Sequence, residues 1–328
     1  MESIVVAALY QFKAVADPAN LQQSLKDLCK TQEILGTLIV ANEGINGTVS
    51  GSREAIDVLH QFLLAQGFDR MEYKESFAPE HTFRKLKIKL KKEIVTLGVH
   101  VDPRDHVGTY LEPEQWHEFI QQDDVIIIDT RNDYEYVTGT FEGAIDPQTK
   151  SFGEFPQYVQ EHLKDAKDKK IAMFCTGGIR CEKSTSYLLQ EGFKEVYHLK
   201  GGILNYLAHI PDEQSLWKGE CFVFDRRVGV GHGVNLGDTA MCFGCGHPLF
   251  AGDTDSPKYE EGVSCPHCYD HTTEEQKARF RMRQSQHVLK RMVKESEVFS
   301  YSDIARFLLM WFRLRSTTAL FPERSRRV

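Results

Sequence analysis

The order of hydrophobic and polar positions divides the chain into three regions, and the first covers residues 1–100. Short apolar runs alternate there with two helical patterns, whose starts are marked by Asp17 before Pro18 and by Ser52. Such residues cap a helix because their side chains accept hydrogen bonds from its first N–H groups. The elements follow a βαββαβ order, which predicts a small ferredoxin-like α+β domain. The predicted strands are 4–12, 34–41, 47–49, 71–73 and 86–90.

Four lysines alternate with apolar residues along the last of these strands. Leu86, Ile88 and Leu90 are expected to face the core, because neighbouring side chains of a strand point to opposite faces. The lysines either follow the phosphate backbone of a nucleic acid or keep a solvated edge strand from aggregating. The residues alone leave both interpretations open. The lysines of this row are Lys85, Lys87, Lys89 and Lys91.

The second region, residues 105–215, alternates apolar strand patterns with helical ones. This order predicts a mostly parallel sheet covered by helices on both faces. The run 169–174 is a predicted buried strand, and 182–193 is a helical pattern ending near Gly192. Between them, residues 175–181 read C-T-G-G-I-R-C, so Cys175 is expected at the carboxyl end of the sheet, where such sheets bind ligands.

The composition of this loop favours a reactive thiolate at Cys175. Loop N–H groups and the positive end of the following helix both stabilise the anion, and Arg180 adds a positive charge. Cys181, in the first helical turn, is either a structural residue or a thiol that resolves a persulfide or disulfide of Cys175. We therefore predict a nucleophile at Cys175, assisted by Arg180. The residues expected to surround the bound group are Thr176, Gly177, Gly178 and Ile179.

Four separated motifs make this region resemble a rhodanese domain. They are the strand-end sequence D-T-R at 129–131, the segment G-T-F-E-G-A at 139–144, the C-x4-R loop at 175–180 and G-G-I at 201–203. Thr140 stands where the family usually has histidine, which leaves one supporting hydrogen bond, but not the fold, in question. Related phosphatases use a longer C-x5-R loop for phosphate. The shorter loop suits a cysteine persulfide.

Length and charge restrict the class of protein. The chain has 328 residues, 41% of them hydrophobic, and a net charge of −7, so it can bury a large core and is not polybasic as a whole. The N-terminus lacks a basic signal region, and no run of 18 apolar residues occurs. We therefore expect a cytoplasmic protein without a membrane span. In that setting, the eight cysteines indicate metal ligands and catalytic thiols rather than disulfides.

The third region, residues 219–328, contains two C-x2-C pairs separated by 19 residues. This spacing predicts a structural zinc site, in which four thiolates close the coordination shell and leave the metal no catalytic role. Redox pairing within each C-x2-C is the alternative, although no strand–helix frame surrounds either pair. The predicted ligands are Cys242, Cys245, Cys265 and Cys268.

A basic helix follows the cysteine pairs. Thr273 and Gln276 have the spacing of a capping box at its start. Residues 272–328 carry an excess charge of +7, which leaves −14 for the rest of the chain. This imbalance suggests an anionic partner such as RNA, although solvated helix faces give similar counts. The apolar stretch 304–314 is predicted to be a packing helix and a candidate oligomer contact. The arginines proposed to bind RNA are Arg279, Arg281 and Arg283.

Further motifs extend the resemblance to the whole chain. They are A-N-E-G-I-N-G at 41–47, F-G-E-F-P-Q-Y-V at 152–159, F-C-T-G-G-I-R-C-E-K at 174–183, K-G-G-I-L-N-Y at 200–206 and G-E-C-F-V-F-D at 219–225. With the cysteine pairs, this series resembles the bacterial rhodanese-domain tRNA uridine hydroxylase family. The resemblance implies oxygen-dependent hydroxylation of the wobble uridine, position 34, at C5, with Cys175 as the essential cysteine and the anticodon region of tRNA as partner.

The residues do not reveal how molecular oxygen is activated. The sequence has neither an organic-cofactor motif nor a recognisable 2-His-1-carboxylate set. Cys175 either adds to C6 of uracil or works as a persulfide or another sulfur oxidation state. Two other functions remain open, a rhodanese-type persulfide sulfurtransferase and a non-catalytic RNA-binding adaptor. We further expect the lysine row and the three arginines to line one groove leading to Cys175.

Overall fold

The computed structural model describes residues 3–296, so the apolar stretch 304–314 lies outside the described residues. The chain forms two compact units, one ending at Met241 and the other beginning at Cys242. The division into domains at residues 1–100, 105–215 and 219–328 stays a prediction. In the described part of the chain, no helix combines the length and the apolar character that crossing a membrane requires.

The N-terminal part of the first unit is a five-stranded sheet covered by two helices. The order of the strands is β4-β1-β3-β2-β5, with all neighbours antiparallel except β2 and β5. The first four strands and the two helices form the predicted βαββαβ arrangement, and β5 adds a parallel edge strand. The elements are β1 (Ile4–Phe12), α1 (Pro18–Thr31), β2 (Leu35–Ala41), β3 (Gly44–Gly51), α2 (Arg53–Ala65), β4 (Glu72–Ala78) and β5 (Leu86–Leu90).

The predicted helix starts are confirmed by their hydrogen bonds. The carboxylate of Asp17 accepts from the N–H of Asn20 at 2.9 Å, and the hydroxyl of Ser52 accepts from the N–H of Ala55 at 3.2 Å. Each bond satisfies a donor that has no partner inside the helix. The two helices then pack their apolar stripes on one face of the sheet. The core residues of these stripes are Leu21, Leu25, Ile56, Leu59 and Leu63.

The edge position of β5 corrects one detail of the predicted alternation. Ile88 is buried and Leu86 is partly buried, but Leu90 is 46% exposed. Leu90 lies at the end of a strand that has only one neighbour, β2, so little of the sheet covers it. Lys87 and Lys89 are exposed, as the alternation predicts.

The second part of this unit is the predicted parallel sheet. Its strands have the order β6-β10-β9-β7 and are all parallel. Helices connect the strands, since parallel neighbours need crossover connections. The elements are β6 (Thr109–Leu111), α3 (Pro113–Phe119), β7 (Val125–Asp129), α4 (Asp133–Tyr136), β8 (Gly139–Phe141), α5 (Phe155–His162), β9 (Lys170–Phe174), α6 (Ile179–Gln190), β10 (Glu195–Leu199) and α7 (Gly202–His209).

Small β-ribbons close the first unit. β8 pairs with β11 (Trp217–Gly219), and β12 (Cys221–Phe222) forms a hairpin with β13 (Gly229–Val230). β14 (Ala240–Met241) ends the unit. Trp217 and Cys221 are buried against Phe141 and Phe174, which lengthens the core on this side of the parallel sheet.

The second unit contains the cysteine pairs, β15 (Pro248–Leu249) and the long helix α8 (Glu274–Ser296). The predicted capping box is present at the start of α8. The hydroxyl of Thr273 accepts from the N–H of Gln276 at 3.2 Å, and the Gln276 side chain accepts from the N–H of Thr273 at 2.9 Å.

Candidate functional site

Cys175 lies directly after β9 and before α6, at the strand-to-helix turn that the sequence predicts. Its sulfur accepts a hydrogen bond from the N–H of Gly178 at 3.2 Å, and the residue is 1% exposed. Gly178 has a φ of 102°, a conformation that favours glycine. The backbone of Gly202 packs against the loop so tightly that a Cβ there would lie 2.4 Å from the carbonyl oxygen of Cys175. The loop therefore has one defined shape.

The surroundings of the two loop cysteines push their pKa values apart. Burial raises the pKa of Cys175, but a hydrogen bond from the Cys181 thiol, the charge of Arg180 and two loop N–H groups outweigh it and lower the pKa to about 5. Burial and the neighbouring Cys175 anion raise the pKa of Cys181 well above its usual value. Cys175 is thus a thiolate at neutral pH, and Cys181 is a neutral thiol that donates to it.

A buried carboxylate holds Arg180 in place. Glu135 in α4 accepts two hydrogen bonds from the guanidinium, at 2.7 and 2.8 Å, and the hydroxyl of Thr176 accepts a third at 3.2 Å. Arg180 is 8% exposed and Glu135 is fully buried. This bidentate pair balances the arginine charge and fixes the end of the loop. The predicted positive charge is present, but it is shared with a carboxylate that the sequence analysis did not identify.

The strand-end motif D-T-R forms a second buried ion pair. Arg131 donates to the carboxylate of Asp129 at 2.9 and 2.6 Å and to the carbonyl of Gly139 at 2.5 Å. Thr140 donates its hydroxyl to the same carboxylate at 3.0 Å. Threonine therefore supplies the supporting hydrogen bond that the absent histidine had left in question.

A cleft of about 430 Å³ opens above Cys175. One wall comes from the cysteine loop and its neighbours, and the other comes from β1, β3 and β4 of the N-terminal sheet. Thr176, Gly177 and Ile179 of the predicted loop line it together with Arg180. The site therefore lies between the two sheets of the first unit. The polar residues that the N-terminal sheet contributes are Tyr10, Asn46, Thr48, Glu72 and Lys74.

Lys74 is the cation that the N-terminal sheet brings to this cleft. Its Nζ lies 3.6 Å from the carboxylate of Glu72, and its side chain is 21% exposed. The end of the side chain passes so close to Gly201 that a Cβ there would be 2.7 Å from its Cε. Burial lowers the pKa of Lys74, against the opposing charges of Glu72 and Cys175. The Lys74 side chain therefore lies on the wall of the cleft opposite the cysteine loop.

Glu182, one residue after Cys181, connects the two walls. Its carboxylate accepts hydrogen bonds from Tyr10 at 3.0 Å and from Tyr110 at 2.7 Å. Burial raises the pKa of Glu182 to about 7, with Glu72 and Cys175 adding to the rise and the two tyrosines opposing it. A buried carboxyl group that titrates near neutral pH therefore lies beside the cleft.

The next residue, Lys183, strengthens the same connection. Its ammonium lies 2.9 Å from a carboxylate oxygen of Glu43 and 2.6 Å from one of Glu93. Glu43 belongs to the A-N-E-G-I-N-G motif, and Lys183 is 1% exposed. The two carboxylate side chains are 25% and 23% exposed, but the ammonium is buried, so losing both partners would leave its charge unpaired away from water. The C-E-K sequence at 181–183 thus anchors the N-terminal sheet over the cysteine loop.

The basic residues proposed to bind RNA have other positions. Among the residues that the structure describes, those lining the cleft do not include Lys85, Lys87 or Lys89. These lysines lie on β5 or next to it, at the edge of the N-terminal sheet. The predicted groove therefore does not bring the lysine row to the cleft that contains Cys175.

The three arginines belong to α8 in the second unit, and two of them make contacts there. Arg281 donates to the carboxylate of Glu260 at 2.7 and 2.6 Å. Arg283 donates to the carbonyls of Phe243 and Gly262 at 2.6 and 3.0 Å. Arg279 is exposed. Their role in binding RNA stays a prediction.

The four predicted metal ligands come together in the second unit. The sulfur atoms of Cys242, Cys245, Cys265 and Cys268 all lie within 4.8 Å of one another. Three of their separations are 4.0, 3.8 and 3.8 Å. A tetrahedral zinc with Zn–S bonds of about 2.3 Å requires sulfur atoms about 3.8 Å apart. The cluster therefore fits a four-coordinate metal ion.

Several residues of the site were missed by sequence reasoning, including Tyr10, Lys74, Glu135 and Glu182. Tyr10 and Lys74 are ordinary polar residues of strands and lie in none of the motifs. Two signals were nevertheless present in the sequence. Glu182 belongs to the C-E-K motif, and Asn46, which lines the cleft, belongs to A-N-E-G-I-N-G.

Two family models agree with this architecture. The family model described as UPF0176 acylphosphatase like domain matches residues 4–94, and that of the rhodanese-like domain matches residues 112–209. A solution structure of a rhodanese-like domain from Anabaena is 18% identical, with a TM-score of 0.29, and covers 34% of this chain and 80% of that one.

Relatives that match most of this chain share much higher sequence identity with it than the Anabaena domain does. A protein named tRNA uridine(34) hydroxylase from Acinetobacter baumannii is 68% identical over 86% of this chain and 90% of its own length. Proteins of the same name from Deinococcus radiodurans and Teredinibacter turnerae are 63% and 53% identical. The match to the Deinococcus protein covers 85% of this chain and 93% of that protein. The match to the Teredinibacter protein covers 93% of this chain and 96% of that protein. This chain belongs to the tRNA uridine(34) hydroxylase family.

Proposed function

We propose that this protein hydroxylates uridine 34 of tRNA at C5, with molecular oxygen as co-substrate and Cys175 as the catalytic residue. The observation that supports this function best is the position of Cys175, at a strand-to-helix turn that lines an open cleft, with the N–H of Gly178 donating to its sulfur. A thiolate is the reactive form of cysteine. The relatives' shared name supplies the substrate and the type of reaction.

The cleft suits a base taken from a single-stranded loop. Uridine C5 lies on the edge of the ring, and an anticodon-loop base can be splayed out without opening a duplex. Asn46 and Thr48 line the wall opposite the cysteine loop and offer hydrogen-bonding groups to the base. We infer that they orient the uracil ring with C6 towards Cys175.

In the first chemical step, the Cys175 thiolate forms a bond to C6 and the electron pair of the C5–C6 double bond moves to C5 and O4. The Lys74 ammonium stabilises this enolate, since a cation aimed at developing negative charge lowers the barrier most in a buried site. The electron-rich C5 then takes one oxygen atom. Loss of the C5 proton and of the thiolate restores the ring and frees Cys175.

The overall hydroxylation requires two electrons in addition to O2. One atom of O2 enters the base and the other leaves as water, which consumes two protons and two electrons from a donor such as a cellular thiol. Cys181 remains a neutral thiol beside Cys175. It can therefore donate a hydrogen bond to the Cys175 thiolate when that thiolate is released from the base. The alternative route, in which Cys175 acts as a persulfide, uses the same loop.

The four-cysteine cluster of the second unit belongs to this proposal as a structural zinc site. Thiolate ligands and their separations suit zinc, and a closed shell stabilises a unit in which, among its described residues, the core around the cysteines adds only Leu249 and partly buried Tyr259. We propose that it supports the fold of the second unit. A cytoplasmic location follows from the proposed substrate.

Nucleoside mass spectrometry of tRNA tests the function. Cells that lack the chain should lose 5-hydroxyuridine and the longer modifications built on it, and the wild-type gene should restore them. Cys175→Ser should restore nothing, whereas Cys181→Ser should restore part of the modification. Loss of a thiolated base instead would identify a sulfurtransferase, and unchanged tRNA would identify a non-catalytic RNA-binding adaptor.

A further inference from the structure

A second cavity of about 260 Å³ adjoins the cleft that contains Cys175. The two share a wall that includes Thr48, Lys74 and Thr176. Phe224 lines both cavities and is 62% exposed. A large, exposed aromatic ring therefore lies at the boundary of the two cavities.

The ring of Phe224 is held in position by its hairpin. It follows β12, and its ring is nearly perpendicular to that of buried Phe222, at 81°, with ring centroids 5.4 Å apart. Arg227, three residues on, donates to the carboxylate of Asp225 at 2.7 Å and to the hydroxyl of Ser76 in β4 at 2.7 Å. These bonds tie the hairpin to the N-terminal sheet. The hairpin that carries Phe224 is therefore attached to the N-terminal sheet, and a binding surface that is already held in place costs less entropy on binding.

We propose that Phe224 is a stacking platform for a nucleotide next to the target uridine, and that the second cavity holds that neighbouring base. The inference rests on the proposed function, because the uridine itself occupies the cleft beside Cys175. The occupant is the continuation of the same RNA strand. Proteins that bind single strands commonly stack bases on aromatic side chains, and the contact tolerates any base.

The chemistry of the second cavity favours a base over a phosphate. Two cations line it: Arg227 is paired with Asp225, and the Nζ of Lys74 lies 3.6 Å from the carboxylate of Glu72, so each charge has a carboxylate nearby. The remaining walls combine apolar residues, such as Val6, with the carboxylate of Glu75 and the polar side chains of Asn205 and His209. Such a cavity accepts a planar neutral ring with a hydrogen-bonding edge. It offers little to a free anion.

Variants at Phe224 test the platform, with RNA hairpins that carry the anticodon loop as substrate. Phe224→Ala should weaken RNA binding by about tenfold and raise KM to match, with kcat little changed, because stacking is lost while the chemistry remains. Phe224→Trp should bind like the wild type. Phe77→Ala is the matched control, since Phe77 is also 62% exposed but lines neither cavity. It should change neither KM nor kcat.

Hairpins with an abasic site on either side of uridine 34 identify the stacked nucleotide. One abasic position should weaken wild-type binding by about tenfold and cause no further loss in Phe224→Ala. Wild-type affinity in Phe224→Ala, or equal losses from the abasic site in both proteins, would overturn the inference. Fluorescence anisotropy measures this binding without turnover. Failure of the wild type to hydroxylate intact RNA would therefore refute the proposed function and leave the stacking result readable.

Discussion

Tyr10 and Glu182, 172 residues apart in the chain, share a hydrogen bond of 3.0 Å beside the cysteine loop. Tyr10 lies in the first strand of the N-terminal sheet, and Glu182 lies in the helix that follows Cys175. A Cβ on Gly178 would lie only 2.9 Å from the Tyr10 hydroxyl, so this contact reaches the loop itself. The N-terminal sheet is therefore part of the candidate site and not a separate binding module.

The reactivity of Cys175 towards iodoacetamide should depend on pH with a midpoint near 5. The pKa of Cys175 is lowered to about 5, so the thiolate predominates above that pH and the rate should level off by neutrality. Cys181→Ala removes a hydrogen-bond donor and should shift the midpoint upwards, whereas Cys181→Ser keeps a donor and should shift it less. Alkylation of the peptide that contains residue 175 is measured by mass spectrometry. A midpoint in the wild type near the ~8.5 of a free cysteine would contradict the proposed environment.

Glu182→Gln should change how stability depends on pH. Burial raises the pKa of Glu182 from 4.5 to about 7, so the native state keeps a proton that the unfolded chain releases. The resulting stabilisation is full below pH 4.5 and is lost as the pH rises through 7, an effect of about 3 kcal/mol. The glutamine does not ionise. Urea unfolding at about pH 5 and about pH 8, on either side of this transition, should show a smaller loss of stability in Glu182→Gln than in the wild type, and equal losses would contradict the prediction.

Lys74→Met should lower kcat by about 100-fold with a much smaller change in KM, because a charge that stabilises the enolate acts in the transition state. Lys74→Arg keeps the cation and should retain more activity. Lys30→Met removes an exposed lysine of α1 and serves as the matched control. Steady-state kinetics on an anticodon hairpin separate the two constants. A change confined to KM would show that Lys74 only binds RNA.

The four-cysteine cluster should hold one zinc ion per chain. Cys265→Ser should remove the metal and unfold the second unit, because most of the binding energy of a structural zinc is folding energy. Cys29→Ala is the control, since Cys29 is buried in the core of the N-terminal sheet, far in sequence from the cluster. Elemental analysis and limited proteolysis provide the measurements. Wild-type protein without metal, or Cys265→Ser with full metal content, would contradict the assignment.

Neutralising exposed cations should reveal which of them bind RNA phosphates. The double variant Lys87→Gln with Lys89→Gln should weaken tRNA binding similarly for all substrates and flatten its dependence on salt. The slope of log K against log salt should change by about 0.7 to 0.9 for each phosphate that is no longer neutralised. Arg279→Gln applies the same test to α8. Unchanged affinity and slope would mean that these charges only solvate the surface of the protein.

The sequence by itself determined the features whose chemistry is local. The C-x4-R loop places a cysteine at a strand-to-helix turn, and the two C-x2-C pairs have the spacing of a zinc site. The helix caps at Asp17 and Ser52 are equally local, because a cap satisfies N–H groups only two or three residues away. In each case the interacting atoms lie close together in the chain or follow a recognised spacing.

Tertiary structure alone decided what faces Cys175. Lys74 and Tyr10 reach the cleft from strands of the N-terminal sheet, far before the cysteine in the chain, and Glu135 reaches Arg180 from another helix. The alternation within a strand predicts which side chains share a face, but not which surface that face meets. The same limit explains Leu90, which has the right alternation but is exposed at the edge of the sheet. Partners across an interface depend on how whole elements pack, and that packing is a property of the complete fold.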